Sequence, residues 1–137
     1  MDEDIKKAID VLDKGGTILY PTDTIWGIGC DATHEEAIEK VYQIKERDRE
    51  KSMLILVDYP ARVERYVEDM PEVAWDLIDV SNKPLTIIYH EAKNLPDTLV
   101  ADDGSIGIRV VQDSFCQQLI TRLGRPLVST SANFSNQ

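Results

Sequence analysis

Cysteine is scarce in this sequence, and so are histidine, long apolar runs and surplus positive charge. Only Cys30 and Cys116 occur in 137 residues, far apart and with no Cys-x-x-Cys. That argues against a disulfide framework or a thiolate zinc site and predicts two small, reduced core residues. No apolar stretch approaches the roughly 20 residues that a bilayer span requires. The opening, Met1-Asp2-Glu3-Asp4, is acidic, the reverse of a signal peptide's basic start. The expected location is cytoplasmic, with no membrane partner. His34 and His90 have no Asp, Cys or second His at ligand spacing, so no metal is assigned to side chains. There is no Walker-type phosphate loop, no Gly-x-Ser-x-Gly elbow and no evident Cys/His catalytic pair. Lys and Arg number 15 against 25 Asp and Glu, a net charge of −10. That balance argues against a broad nucleic-acid surface, which needs clustered cations, but leaves room for a local basic cleft.

What is present is a chain of one-domain length with enough apolar residues for a sizeable core. Helical and strand patterns alternate. Ile5, Ala8, Ile9 and Leu12 recur at helical spacing, and Gly15-Gly16 ends that helix. Thr17–Tyr20 and Ile25–Cys30 read as short strands around Pro21. Thr33 and Glu36 form a capping box for a helix that carries Ala37, Ile38, Val41 and Tyr42 and runs to about Lys45. The unbroken apolar run Met53–Val57 predicts a strand buried on both faces. Two short helices are expected between Pro60 and Val80, with Trp75, Leu77 and Ile78 on a packed face. Strands follow at Leu85–Tyr89 and Ile106–Val111, then a helix at Ser114–Leu123 and a strand at Pro126–Thr130. The pattern predicts an α/β domain, a mixed sheet covered by helices.

Charge is uneven along this frame. Residues 58–79 hold seven acids against Arg62 and Arg65, whereas residues 105–137 hold Arg109, Arg122 and Arg125 against Asp113. Four polar segments sit at element ends, where ligands of open α/β sheets bind. Pro21-Thr22-Asp23-Thr24 sets two hydroxyls around a carboxylate, which fits a hydrogen-bonded turn as well as a site. The Gly27-x-Gly29 pair after it is a weak signal, because Ala32 stands where a dinucleotide fingerprint has its third glycine. Lys45-Glu46-Arg47, with Lys51 beyond, fits either a solvated, salt-bridged loop or a phosphate clamp. Arg109 lies inside the apolar strand Ile106–Val111. It must face solvent, pair with a carboxylate or bind an anion, and Ser105 shares its side of the strand. Ser129-Thr130-Ser131-Ala132-Asn133 either caps a helix or binds a nucleotide.

Together these segments resemble the YrdC/Sua5 family of threonylcarbamoyl-AMP synthases, over essentially the whole chain. Gly16-Thr-Ile-Leu-Tyr-Pro-Thr-Asp-Thr-Ile-Trp-Gly-Ile-Gly-Cys-Asp-Ala32 is similar to the family's opening signature. Lys45-x-Arg47 and Ser131-x-Asn133 resemble its two nucleotide-site motifs, and Pro84-Leu85-Thr86 and Ile106-Gly-Ile-Arg109 its later strands. Single tripeptides recur by chance; their order and spacing together are specific. The chain differs at Asp48 and at Asn82-Lys83, where the family favours Pro and Pro-Gly, at Trp26, commonly Tyr, and at Ser135-Asn136, usually Ser-Gly.

The resemblance implies a twisted, open mixed sheet with helices packed on it, YrdC/RibB-like. It implies a single domain over residues 1–137, without the family's C-terminal closing segment. It also implies a reaction: L-threonine, bicarbonate or CO2, and ATP with Mg2+ give L-threonylcarbamoyl-AMP and pyrophosphate. This is the first step of the threonylcarbamoyladenosine modification of tRNA, completed by a partner transfer complex. By resemblance, Arg109 takes the threonine carboxylate, with Thr24, Ser129 and Thr22 as hydrogen-bonding partners. Lys45, Arg47 and Lys51 bind phosphates, while Ser105, Ser131 and Asn133 complete the nucleotide site. The metal comes on the ATP phosphates, held by no protein side chain. No residue is marked as nucleophile or base, so catalysis rests on positioning and charge stabilisation. The alternative is a double-stranded RNA- or tRNA-binding module of the same fold without catalysis.

Overall fold

A computed structural model describes residues 1–21, 26–45 and 53–131, and for Pro21, Trp26, Lys45 and Ser131 the backbone only. Its elements follow the alternating pattern: α1 (Asp2–Asp13), β1 (Ile18–Pro21), β2 (Trp26–Asp31), α2 (Glu35–Lys45), β3 (Leu54–Val57), a 3-10 turn (Pro60–Arg65), α3 (Glu72–Val80), β4 (Thr86–Tyr89), β5 (Ile106–Val110), α4 (Ser114–Leu123) and β6 (Leu127–Ser131).

Local chemistry explains the helix ends. Asp2, Glu3 and Asp4 sit in the first turn of α1, where the helix dipole favours negative charge. At its other end Gly15 adopts φ +80. Its N–H reaches Leu12 O, and that of Gly16 reaches Val11 O, the paired bonds of a Schellman motif. Asp113 caps α4, its carboxylate accepting the Cys116 N–H at 2.9 Å.

Two sequence expectations shift. The helix predicted from Thr33 starts at Glu35. Thr33 donates its hydroxyl to Asp31 Oδ1 at 2.7 Å, and the His34 ring takes over the capping, Nδ1 accepting the Ala37 N–H at 3.2 Å. In α3 the buried residue is Ala74, while Leu77 is 44% exposed. Trp75 and Leu77 are two residues apart, nearly opposite on a helix, and cannot share a packed face.

The six strands form one mixed sheet in the order β1-β2-β6-β3-β5-β4, in which only β3 and β5 run parallel. β3 is central. Ile55 and Val57 point into the core under α2 and α3, and Leu56 into the core under α1 and α4. That two-sided burial is what its unbroken apolar run predicts. Cys30 and Cys116 are both buried and form no disulfide, one in each core.

The register lines up residues in rows on the face that carries α1 and α4. One row runs Thr86, Arg109, Leu56, Leu127, Asp31. The next runs Ile88, Gly107, Leu54, Ser129, Gly29, Ile18. A third holds Ser131, Gly27 and Tyr20. α1 and α4 pack over Leu56 and Leu127 with Ile5, Leu12, Leu119 and Leu123. In these later rows Gly107, Ser129, Gly29, Ser131 and Gly27 are set among the aliphatic Ile88, Leu54 and Ile18.

Candidate functional site

The rows gather residues that are distant in sequence. Arg109 and Ser129 stand on the same face, on strands separated only by β3. Ser131 ends β6 one row beyond Ser129, opposite Gly27. Lys45 is the last residue of α2. Thr22, Thr24, Arg47, Lys51 and Asn133 lie outside the described residues.

Arg109 resolves its three options in an informative way. It is half-buried, and its Nε donates to Thr86 Oγ1 at 2.9 Å, directly across the β4–β5 ladder. Among the described residues no carboxylate lies within 4.0 Å of it. Other arginines behave differently. Arg62 holds Asp58, Arg122 holds Asp2, and Arg125 holds both Asp31 and Asp13. A small cavity of about 80 Å³ at the far end of β3 is lined by Arg62, Arg65 and Arg125. Two of those three charges are already matched by aspartates. Arg109 is held by a neutral hydroxyl, which fixes the guanidinium without neutralising it and leaves its terminal nitrogens for an anion.

Two glycines make the second feature. A Cβ on Gly29 would stand 2.7 Å from Cε1 of Tyr20 and 2.8 Å from the Val128 carbonyl; one on Gly27 would stand 3.1 Å from Tyr20 Cζ. The Tyr20 ring therefore lies across β2, on a floor that only glycine leaves low enough. Its hydroxyl crosses that floor to Ser129 Oγ, 2.7 Å away on β6. Tyr20 is 1% exposed. Burial pushes its phenol well above the ordinary tyrosine range, and the Ser129 bond and the Arg109 charge only partly offset this. Tyr20 and Ser129 are thus one hydrogen-bonded unit, on the face of the sheet that also carries Arg109.

Ser105 stands apart from that unit. Its hydroxyl donates to Asp103 Oδ1 at 2.6 Å and its N–H to the same oxygen at 3.0 Å. These bonds close the turn before β5 and hold the Asp103 carboxyl below the usual range. Tyr20, Thr86, Gly27 and Gly29 are the site residues that sequence reasoning did not assign. Tyr20 and the glycines lie inside the opening signature, and the glycines, at strand spacing, mark one face kept free of side chains.

A family model for Sua5, YciO and YrdC proteins, described as telomere recombination, matches residues 10–137. The chain belongs to this family. A threonylcarbamoyl-AMP synthase of Pseudoalteromonas translucida is 35% identical over 136 residues, 97% of this chain and 73% of the relative. One of Vibrio cholerae is 32% identical, over 98% of this chain and 73% of the relative. Among solved structures, P. abyssi Sua5 complexed with L-threonine superposes with a TM-score of 0.93 at 23% identity, covering all of this chain and 41% of that one. E. coli YciO gives 0.84 at 28% identity, over 95% of this chain and 64% of that one. The YrdC-type fold expected from the sequence is the fold observed. Among the described residues no helix is long and apolar enough to cross a membrane.

Proposed function

We propose that this Sua5/YrdC domain makes L-threonylcarbamoyl-AMP from L-threonine, bicarbonate or CO2, and ATP, releasing pyrophosphate. The observation that carries the reading is Arg109, a partly buried guanidinium held by Thr86 and unmatched by any described carboxylate, with Ser129 on the same face across β3. The relatives at 35% and 32% identity bear the name of that activity.

The reaction brings several anions together: a carboxylate, bicarbonate, a triphosphate and then a carbamate. Their mutual repulsion is offset by fixed donors aimed at the oxygens. Arg109 takes the threonine carboxylate as a fork, and Ser129 adds a hydroxyl. Thr22 and Thr24 add further hydroxyls from the connection between β1 and β2. Lys45, Arg47, Lys51, Ser105, Ser131 and Asn133 serve the nucleotide, Ser105 through its remaining lone pairs. The neutral threonine amine forms a bond to the carboxyl carbon; with bicarbonate the amine proton leaves with hydroxide as water, and with CO2 it leaves as a proton. A carbamate oxygen then bonds to the α-phosphorus as pyrophosphate leaves. Positioning of this kind supplies roughly 7–11 kcal/mol of the barrier. The described side chains here are hydroxyls and a guanidinium, donors suited to anionic oxygen. Mg2+ would come with the ATP and would offset the charge of its phosphates. The product passes to a transfer complex that modifies tRNA.

The test is direct. Purified protein with ATP, Mg2+, L-threonine and bicarbonate should release pyrophosphate and form the adenylate, dependent on both threonine and bicarbonate. Arg109→Ala and Arg47→Ala should abolish product with the fold retained. Equal turnover with L-serine, or none with threonine in a chain extended to the relatives' length, refutes the substrate assignment.

A further inference from the structure

We propose that Tyr20 and Thr86 are positioning residues that set the direction in which Ser129 and Arg109 donate to the ligand; this rests on the function proposed above. A phenol is much the stronger acid and the poorer acceptor beside an aliphatic alcohol. In the Tyr20–Ser129 pair at 2.7 Å the proton in the bond is therefore Tyr20's. Ser129 Oγ, 8% exposed, then accepts from within the protein and has its own proton to give. Such a hydroxyl recognises an acceptor, a carboxylate or carbonyl oxygen, and disfavours an ammonium.

Thr86 does the matching work for Arg109. The two lie opposite each other in register, and Thr86 Oγ1 takes Nε. With Nε engaged along the sheet, the guanidinium plane is held and its two terminal nitrogens form the edge offered to an oxyanion. Both residues act from strands flanking the site, β1 and β4, through neutral bonds that leave the net charge unchanged. The Gly27 and Gly29 floor lets Tyr20 reach across a whole strand, and Gly107 leaves similar room beside Thr86, whose Cγ2 lies 3.3 Å from where a Cβ would stand.

Tyr20→Phe and Thr86→Val each keep the shape and remove one polar contact. Threonine binding is followed by calorimetry and steady-state turnover by pyrophosphate release. Each variant is expected to raise the Kd and KM for L-threonine about tenfold, leaving kcat and the KM for ATP within twofold. Ser129→Ala should weaken threonine equally, and Tyr20→Phe placed on top of it should add nothing. Leu19→Ala, on the same strand but pointing to the opposite, 62% exposed side, should change none of these. An unchanged threonine affinity in Tyr20→Phe, or additive losses with Ser129→Ala, overturns the proposal even if the melting temperature falls. A wild-type protein that binds threonine but makes no adenylate, even when extended to the relatives' length, overturns the proposed function alone. One that does not bind threonine overturns both.

Discussion

Replacing Gly29 with alanine plants a methyl carbon 2.7 Å from Tyr20 Cε1 and 2.8 Å from the Val128 carbonyl oxygen. The carbonyl has little room to retreat. β6 is paired on both sides, to β2 through Cys30↔Val128 and to β3 through Ile55↔Val128. The Tyr20 ring has to move instead, and lifting it off the floor breaks its bond to Ser129. Overpacking of this kind costs about 1–3 kcal/mol, and a lost hydrogen bond adds about 0.5–1.5 kcal/mol. Against that, removing a glycine restricts the unfolded chain and returns about 0.4–1 kcal/mol. The net is a destabilisation of about 0.5–4 kcal/mol. Gly27→Ala, whose methyl comes no nearer than 3.1 Å to the Tyr20 ring, should cost less. Gly104→Ala meets nothing within 4 Å but sits at φ +83, so its cost is about 1–2 kcal/mol of backbone strain. Urea titrations followed by circular dichroism rank the three, and calorimetry reports threonine binding, which Gly29→Ala alone of the three should lose outright. A Gly29→Ala protein as stable as wild type, or harmed less than Gly27→Ala, would refute the claim that the ring lies on this floor.

Three further outcomes are expected. Asp58 is 2% exposed, and its carboxylate accepts from the Tyr59 N–H, Arg62 Nε and the Thr121 hydroxyl. Asp58→Asn puts donors where acceptors are needed and should cost about 1–3 kcal/mol, read by denaturant unfolding. His34→Ala removes the acceptor for the Ala37 N–H and should cost about 0.5–2 kcal/mol, with His34→Asn recovering most of it. The Cys30 thiol is pushed up to about 12, first by burial and then by the Asp31 charge, from an ordinary 9.0. Between those values the unfolded chain gives up its proton first. The contribution is therefore complete below pH 9 and is lost as pH rises toward 12. Stability measured across that range should fall less steeply in Cys30→Ala, and rapid labelling of the native thiol near pH 8 would contradict its burial.

Much of the fold was legible because its signals are local. The apolar run 53–57 marked the central strand, and Ser114–Leu123 emerged as a helix with the expected ends. Gly15-Gly16 terminated α1 through contacts no more than five residues long. The two shifts arose where local chemistry had competing partners. Thr33 bonded Asp31 and left the cap to His34, and Leu77 lay off the face assigned to it. At the site, Arg109 was conspicuous for the same local reason, a permanent charge amid strand residues. Its partner was not legible, nor was the Tyr20–Ser129 bond, because these pairs lie 23 and 109 positions apart.

Periodicity, caps and breakers act over one or two turns of chain, so the order and type of the elements were settled by the amino acids alone. Strand order is different in kind. Inserting β6 between β2 and β3 brings Ser129 within reach of Tyr20, and setting β4 outside β5 gives Arg109 a hydroxyl where other arginines found aspartates. Side-chain neighbours across a sheet are chosen by pairing and register, which bury the most apolar surface over the whole molecule. That global packing decided that Arg109 meets the Thr86 hydroxyl and no described carboxylate.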